Sequence, residues 1–463
     1  MRIRLKGFSV LTQILYLGRE VHLDATSSMH RTNVFLFVLH LLTRVAFALA
    51  LGWNNNYTLQ VDSHELVRFG LQASTGDFNF ELDRFIVSPL FSSVVALFKI
   101  LFGDAWATLL LCFQLLLSAL SGVYIFKIAL LLFQSRKIGL LASLLFAVFP
   151  LTLWFTHTFS QECLFQAFFI FSLYHLIAAL ERKLTLHVCY AAVFFGLAYL
   201  TKSHILIFSL FIPLMFYHVF KFSKTTVWYT ILFASISIAF SVPYGLYTYK
   251  KHGTYVLSSN GAAYQFYLGN TDAGYKTIVD VPPVGTADYL KMKDITVHAG
   301  YFNGSDSIYN ATLLLPQPEK QATFYRAARE WIAEHPQKFI ELKAYNLALF
   351  FLPGVSWRHY PFRTWLATFL ICLPVYMLAY FALVRMLKAR NPRVVPLVYV
   401  MLSMVIFSTV WYVQNRFRTI TLEPLYLVYA ALPLWELLQR KRWGHQALDR
   451  LDRWLNAPSL PRS

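Results

Sequence analysis

The 463-residue chain is 57% hydrophobic and 17% aromatic, with 14% of its residues charged and a formal charge of +18. That balance excludes a soluble multi-domain protein and describes an all-α polytopic membrane protein whose main solvent is lipid. The basic residues stand in short clusters between apolar runs rather than along one soluble face, so they read as a topology signal, and no nucleic-acid partner is expected.

The chain starts with a basic, mildly amphipathic segment, MRIRLKGFSVLTQILYLGRE, followed by no small-residue cleavage site. It reads as a cytoplasmic interfacial segment that is retained. Apolar runs follow at 33–53, 107–133, 138–156, 159–180, 185–201, 205–220, 226–249, 361–385, 394–413 and 419–438. Each approaches the roughly 20 residues needed to cross a hydrocarbon core of about 30 Å. Two further stretches, 88–103 and 337–353, are short or amphipathic and suit short spans, re-entrant segments or interfacial helices. If neither crosses, ten crossings put both termini and every basic cluster inside, including Arg136/Lys137, Arg182/Lys183 and Arg440/Lys441/Arg442; the upper bound is thirteen. The expected organisation is an N-terminal transmembrane module 1–249 with a first catalytic loop 54–87, a non-cytoplasmic loop region 250–336, transmembrane helices in 337–440 and a cytoplasmic tail 441–463. Cys112, Cys163, Cys189 and Cys372 all fall in apolar segments and read as free thiols.

The loop 54–87 has five acids, Asp62, Glu65, Asp77, Glu81 and Asp83, against two bases, Arg68 and Arg84. Leu66, Phe69 and Ala73 have helical spacing behind Asp62, with Glu65 three residues on. This predicts a capping-box start to an amphipathic helix lying on the membrane surface. Asp62 has two readings: a helix cap worth about 1 kcal/mol, or a carboxylate that takes the proton from an attacking hydroxyl. Glu65 and Asp83 could supply a second carboxylate or help hold a metal. A divalent cation stays open, because one aspartate and scattered acids do not define a metal site.

Farther along, YLTKSH at 199–204 puts Lys202 and His204 at a span edge. Lys202 either snorkels to the interface or binds a phosphate. Arg416 and Arg418 sit at the outer end of the penultimate span, against the usual charge bias, and planar guanidinium groups match phosphate oxygens well. Arg44 and Glu162 are charges inside or at the edge of spans, expected either to function directly or to pair between helices. Trp154, Trp357, Tyr360, Trp365, Trp411 and Tyr412 fit an interfacial aromatic belt.

At these residues the chain resembles the GT-C glycosyltransferases, and within them the protein O-mannosyltransferase and aminoarabinose transferase group. An acidic loop helix precedes RFIVSPLFSSVVALFKILFG at 84–103, then follow FGLAYLTK at 195–202, AYQFYLGN at 263–270, WIAEHP at 331–336, and RFR at 416–418 with Glu423-Pro424. The resemblance implies a GT-C-type bundle of about 10–13 spans. It also implies transfer of a sugar from a polyprenyl-phosphate carrier to a lipid, glycan or protein acceptor outside the cytoplasm, with the chain in a bacterial inner membrane and its active site facing the periplasm or cell exterior. By this analogy Asp62 matches the catalytic aspartate, and Lys202, His204, Arg416 and Arg418 are candidates for the donor-phosphate pocket. Arg68, Arg84, Glu162 and Tyr267 are further candidates beside them. The chain departs from several relatives in having no charged residue directly before its Pro-Leu at 89–90. The alternatives are a polysaccharide polymerase or ligase with a diphosphate-linked donor, and a lipid-linked sugar transporter; the absence of evident inverted repeats disfavours the last.

Overall fold

The computed structural model describes residues 23–52, 61–82, 85–280, 286, 307–355, 360–411, 414–440 and 442–456. The interfacial segment expected at 1–20, and the candidates Asp83 and Arg84, lie outside them. Among the described residues the fold is helical, and the one strand-like feature is an isolated antiparallel bridge between Glu81 and Ile86.

Helix α1 (Leu23–Ala50) is the first span, and the short amphipathic α2 (Val61–Ala73) follows in the acidic loop. Next come α3 (Leu90–Phe102) and α4 (Trp106–Phe133). Gly103 between them takes φ 55° and ψ −122°, a conformation open to glycine, and the chain doubles back there. The Phe98 and Phe113 rings lie 5.5 Å apart, whereas a straight helix would hold residues fifteen apart at about 22 Å. The stretch 88–103 is therefore one arm of a hairpin against the outer part of α4.

Among the described residues six helices are long and apolar enough to cross a membrane, or up to eight if each of two bent pairs makes one span. The difference from ten to thirteen crossings comes from breaks and short helices. Helices α5 (Arg136–Val148) and α6 (Pro150–His157) meet at a 56° bend, because Phe149 before Pro150 is pushed out of the α region (ψ 114°). Helices α10 (Lys224–Ala239) and α11 (Val242–His252) bend by 46° just before Pro243. Helix α8 (Thr185–Thr201) is apolar but short. It still runs back along α7 (Gln161–Arg182), as the bond from Ser172 Oγ to the Ala191 carbonyl (2.8 Å) records. The interrupted run α9 (Ser203–Phe220) follows.

The outer loop region forms α12 (Ala262–Leu268), α13 (Asp272–Ile278), α14 (Ser307–Thr312) and α15 (Gln317–Glu334), ahead of α16 (Pro336–Phe351). Tyr264, Tyr267, Phe324 and Trp331 give this region a core of its own. The chain then continues through α17 (Phe362–Lys388), α18 (Pro392–Val410), the short α19 (Asn415–Thr421), α20 (Glu423–Gln439) and α21 (Arg442–Asn456).

The two ends of the bundle differ in chemistry. At one end Arg136 meets Asp452 (2.8 Å) and Ser28 Oγ (2.7 Å), while Lys137 pairs with Asp449. This fastens the polar face of α21 to α5 and α1. At the other end Ser88 bonds Ser258 (3.0 Å), Ser258 donates to the Tyr199 carbonyl (2.6 Å), and Trp411 Nε1 donates to the Ala262 carbonyl (3.1 Å). Those bonds gather the hairpin, the outer loop region and the ends of α8 and α18 around one mouth.

Candidate functional site

The mouth is built on a second apolar core containing Leu66, Phe69 and Ala73 of α2, Phe91 and Val95 of α3, and Phe159 and Leu164 on either side of the α7 start. The predicted inner face of the acidic-loop helix is thus the buried one. Burying Leu66 and Phe69 is worth about 1.5–3 kcal/mol each. The Glu65–Arg68 ion pair on the exposed face, with side chains 41% and 52% exposed, is worth less than about 1 kcal/mol. Packing therefore decides how α2 lies. Its approach to α3 is close: a Cβ on Gly70 would fall 2.5 Å from Val95 Cβ and 2.7 Å from the Ser92 carbonyl, and Ser92 Oγ donates to the Leu66 carbonyl (2.8 Å).

The helix begins at Val61, one residue earlier than the capping-box reading, so Asp62 lies in its first turn rather than at the cap. The Asp62 side chain lies outside the described residues. Glu65 and Arg68 pair with each other, which engages the Glu65 carboxylate on the outer face.

Behind α2, the first turn of α7 holds Glu162 with its carboxylate in the bundle. Lys202, at the C-terminal end of α8, places Nζ 2.9 Å from Glu162 Oε1. Arg416, from α19, places Nη1 3.4 Å from the same oxygen. The Phe417 ring lies beneath both cations, 4.8 Å from Lys202 Nζ and 5.7 Å from the Arg416 guanidinium carbon. Three sequence candidates therefore converge: one buried carboxylate faces two cations. Such a cluster can receive an anion by letting the cations turn from the carboxylate toward it.

His204 is enclosed by the rings of Phe165 (4.7 Å), Phe417 (4.9 Å) and Phe407 (5.2 Å), and neither ring nitrogen has a hydrogen-bond partner. It walls the cluster rather than joining its ion pairs. Arg418 departs further from the phosphate-ligand reading. It is fully buried, its Nε bonds Glu423 Oε1 (3.1 Å), and its remaining nitrogens donate to the carbonyls of Phe350 (2.8 Å), Leu352 and Gly354 (2.5 Å). Tyr376 donates to the same carboxylate oxygen (2.7 Å). Arg418 thus ties the end of α16 to the start of α20 and is a clamp. Tyr267 packs on Phe324 (5.3 Å between ring centroids) inside the outer region's core.

Two further side chains reach across to neighbouring elements. Glu81, one of the acids in the first loop, faces His252 Nδ1 (3.2 Å) and accepts from Gln317 Nε2 (2.5 Å), joining the loop to α11 and α15. Lys343 on α16 is buried and donates to the Gly269 carbonyl (2.9 Å) of the Gly-Asn motif. An isolated lysine in an amphipathic segment carries no sequence signal that it will be buried. Arg44, whose partner the sequence left unnamed, bonds neutral groups among the described residues: Ser118 Oγ (3.0 Å), His40 Nδ1 (2.9 Å), Thr43 Oγ1 (3.0 Å) and the His40 and Phe146 carbonyls. Among the described residues no group of three His, Cys, Asp or Glu side chains could hold a metal ion.

Residues 87–244 match the family model described as dolichyl-phosphate-mannose-protein mannosyltransferase. That segment holds Glu162 and Lys202, while Asp62 and Arg416 fall outside it. The fold is similar to that of the Archaeoglobus fulgidus oligosaccharyltransferase in its apo form, with a TM-score of 0.54 at 14% identity over 90% of this chain and 52% of that one. It is equally similar to the archaeal oligosaccharyltransferase AglB from Archaeoglobus fulgidus in complex with an inhibitory peptide and a dolichol-phosphate, with a TM-score of 0.54 at 14% identity over 93% of this chain and 52% of that one. The chain shares the fold of these two structures. It spans about half the length of those two structures. A comparison with curated proteins finds no match. Within this fold, the mouth described above is the end where the acidic-loop helix, the outer loop region and the cationic cluster meet.

Proposed function

We propose that the chain is a membrane glycosyltransferase that moves a hexosyl or pentosyl group from a polyprenyl-phosphate donor to a lipid, glycan or protein acceptor at this mouth. In this reading the mouth faces away from the cytoplasm, in a bacterial inner membrane with the periplasm or exterior outside. The acceptor oxygen attacks the anomeric carbon as Asp62 takes its proton. The bond from that carbon to the donor phosphate oxygen breaks, and the polyprenyl phosphate departs with the electron pair. Because one displacement occurs, the configuration inverts.

The observation that carries the proposal is the meeting of Lys202 and Arg416 over Phe417 at Glu162. Preorganised cations at the point where the leaving group gains charge lower the barrier, and an apolar surround strengthens them. Arg418 acts here as a positioning residue that holds α19. A divalent cation could assist through Asp62 and Asp83, which EDTA treatment tests directly.

The test is Asp62→Asn, which retains side-chain size while removing the base. The purified variant is given a radiolabelled polyprenyl-phosphate sugar and an acceptor extract. Transfer at the wild-type rate sinks the assignment of Asp62. Failure of the wild type to transfer from any monophosphate donor, with transfer from a diphosphate donor, sinks the donor class.

A further inference from the structure

Far from the mouth, the cytoplasm-proximal ends of α4, α7 and α8 carry a second cationic cluster that the proposed reaction does not use. His175 on α7 and His187 on α8 face each other, Nδ1 to Nδ1, at 2.9 Å. Only one of the two nitrogens can carry the shared hydrogen, so the pair is joined by one donated bond. Lys127 on α4 lies 4.9 Å from the Tyr124 ring and 5.9 Å from the Tyr174 ring. Arg182, at the end of α7, is close enough to act electrostatically on Lys127, Tyr174 and both histidines. Tyr190 stacks on His175 at 5.0 Å and is itself exposed, so the cluster opens on the outer surface of the bundle.

Among the described residues no carboxylate lies within ion-pair distance of Lys127 or Arg182. Two cationic side chains, a hydrogen-bonded histidine pair and a set of tyrosine hydroxyls thus share one recess with no carboxylate in ion-pair distance of either cation among the described residues. Helix α7 starts at Gln161, beside Glu162 in the mouth, and runs 22 residues to Arg182, about 33 Å, close to the thickness of a hydrocarbon core. The recess therefore sits at headgroup depth in the leaflet opposite the mouth. Basic pockets between helices at this depth suit anionic lipid headgroups, whose phosphate supplies the missing charge and accepts from lysine, arginine and tyrosine.

We infer that Lys127, Arg182, His187 and Tyr174 form a binding site for the phosphate of an anionic phospholipid in the leaflet opposite the proposed active site. The occupant is a lipid rather than a soluble ion because the exposed Tyr190 and the partly buried Phe194, both against His175, offer acyl chains an apolar surface beside the cations.

The test uses the full chain in detergent, with native mass spectrometry counting bound lipid after titration with phosphatidylglycerol or phosphatidylcholine. Wild type retains severalfold more phosphatidylglycerol. Lys127→Gln/Arg182→Gln removes that excess, and Lys127→Arg with native Arg182 keeps it. Lys388→Gln/Arg390→Gln, at another basic cluster of the same end, leaves it unchanged. Arg182→Gln alone, at an exposed position, halves the excess or more and serves if the double variant does not fold. Equal retention of the two lipids by wild type, or an unchanged excess in Arg182→Gln and the double variant, overturns the site. Displacement of phosphatidylglycerol by millimolar inorganic phosphate overturns the lipid assignment in favour of a free anion.

Discussion

Glu162 and Lys202, forty positions apart on adjacent helices, hold their charges 2.9 Å apart with side chains 1% and 6% exposed. Breaking a buried pair by removing one partner leaves an uncompensated charge and costs about 3–5 kcal/mol. Lys202→Met is therefore expected to lower the melting temperature in detergent by several degrees and to abolish transfer. Glu162→Gln/Lys202→Met should recover much of the stability and none of the activity. Recovery of both would mean that the pair is purely architectural.

Arg416 and Arg418 separate in the same kind of experiment. Arg418→Gln leaves Glu423 without its counter-charge and three backbone carbonyls without their donor, so a loss of about 3–5 kcal/mol is expected, read as rapid proteolysis and poor yield. Arg416→Gln removes one of two cations at Glu162. Its yield and melting should stay near wild type while transfer falls about 100-fold, the scale typical of one lost transition-state contact. The reverse pattern would exchange the two roles.

Gly70 sets how closely the acidic-loop helix sits on α3. Gly70→Ala must push α2 away, because the new methyl would meet backbone and a β-branched Cβ on the facing helix. A shift near 1 Å at a catalytic group can cost about 100-fold in rate. The expected result is a large fall in kcat with the overall fold kept, measured beside far-ultraviolet circular dichroism. Wild-type kcat would uncouple α2 from the chemistry.

Lys343 makes stability depend on pH. Burial pulls its ammonium from the ordinary 10.5 down to about 7. Between those values the unfolded chain holds a proton that the folded chain does not, so stability rises as pH rises through this window. Below about 7 both states are protonated and the full burial penalty applies. Urea midpoints collected from pH 7 to 10 should climb in wild type and climb less in Lys343→Met; matching slopes would show that the amine is solvated.

The reach of the sequence is clear in particular residues. The inner face of α2 follows from Leu66, Phe69 and Ala73 because helical periodicity is local, and the apolar runs announce the spans because hydropathy is local as well. Arg416 and Arg418 look alike in sequence, yet two residues on a helix lie about 200° apart around its axis, so one faces the mouth and the other the interior of the bundle. Which is which depends on how α16 and α20 pack around α19. The convergence on Glu162 joins positions 162, 202 and 416, and no local pattern links residues so far apart. Where a span breaks is not legible either, since hydropathy has no term for the 56° turn at Pro150.

The fastening of α21 to α5 carries a consequence for how the chain is made. In the finished protein, Arg136 and Lys137 are neutralised by Asp452 and Asp449, yet those acids leave the ribosome more than three hundred residues after the bases they meet. During insertion the two cations are therefore bare and can act as a topology signal for their loop. Helix α21, made long after them, then retires that signal, turning a sorting charge into a structural clasp.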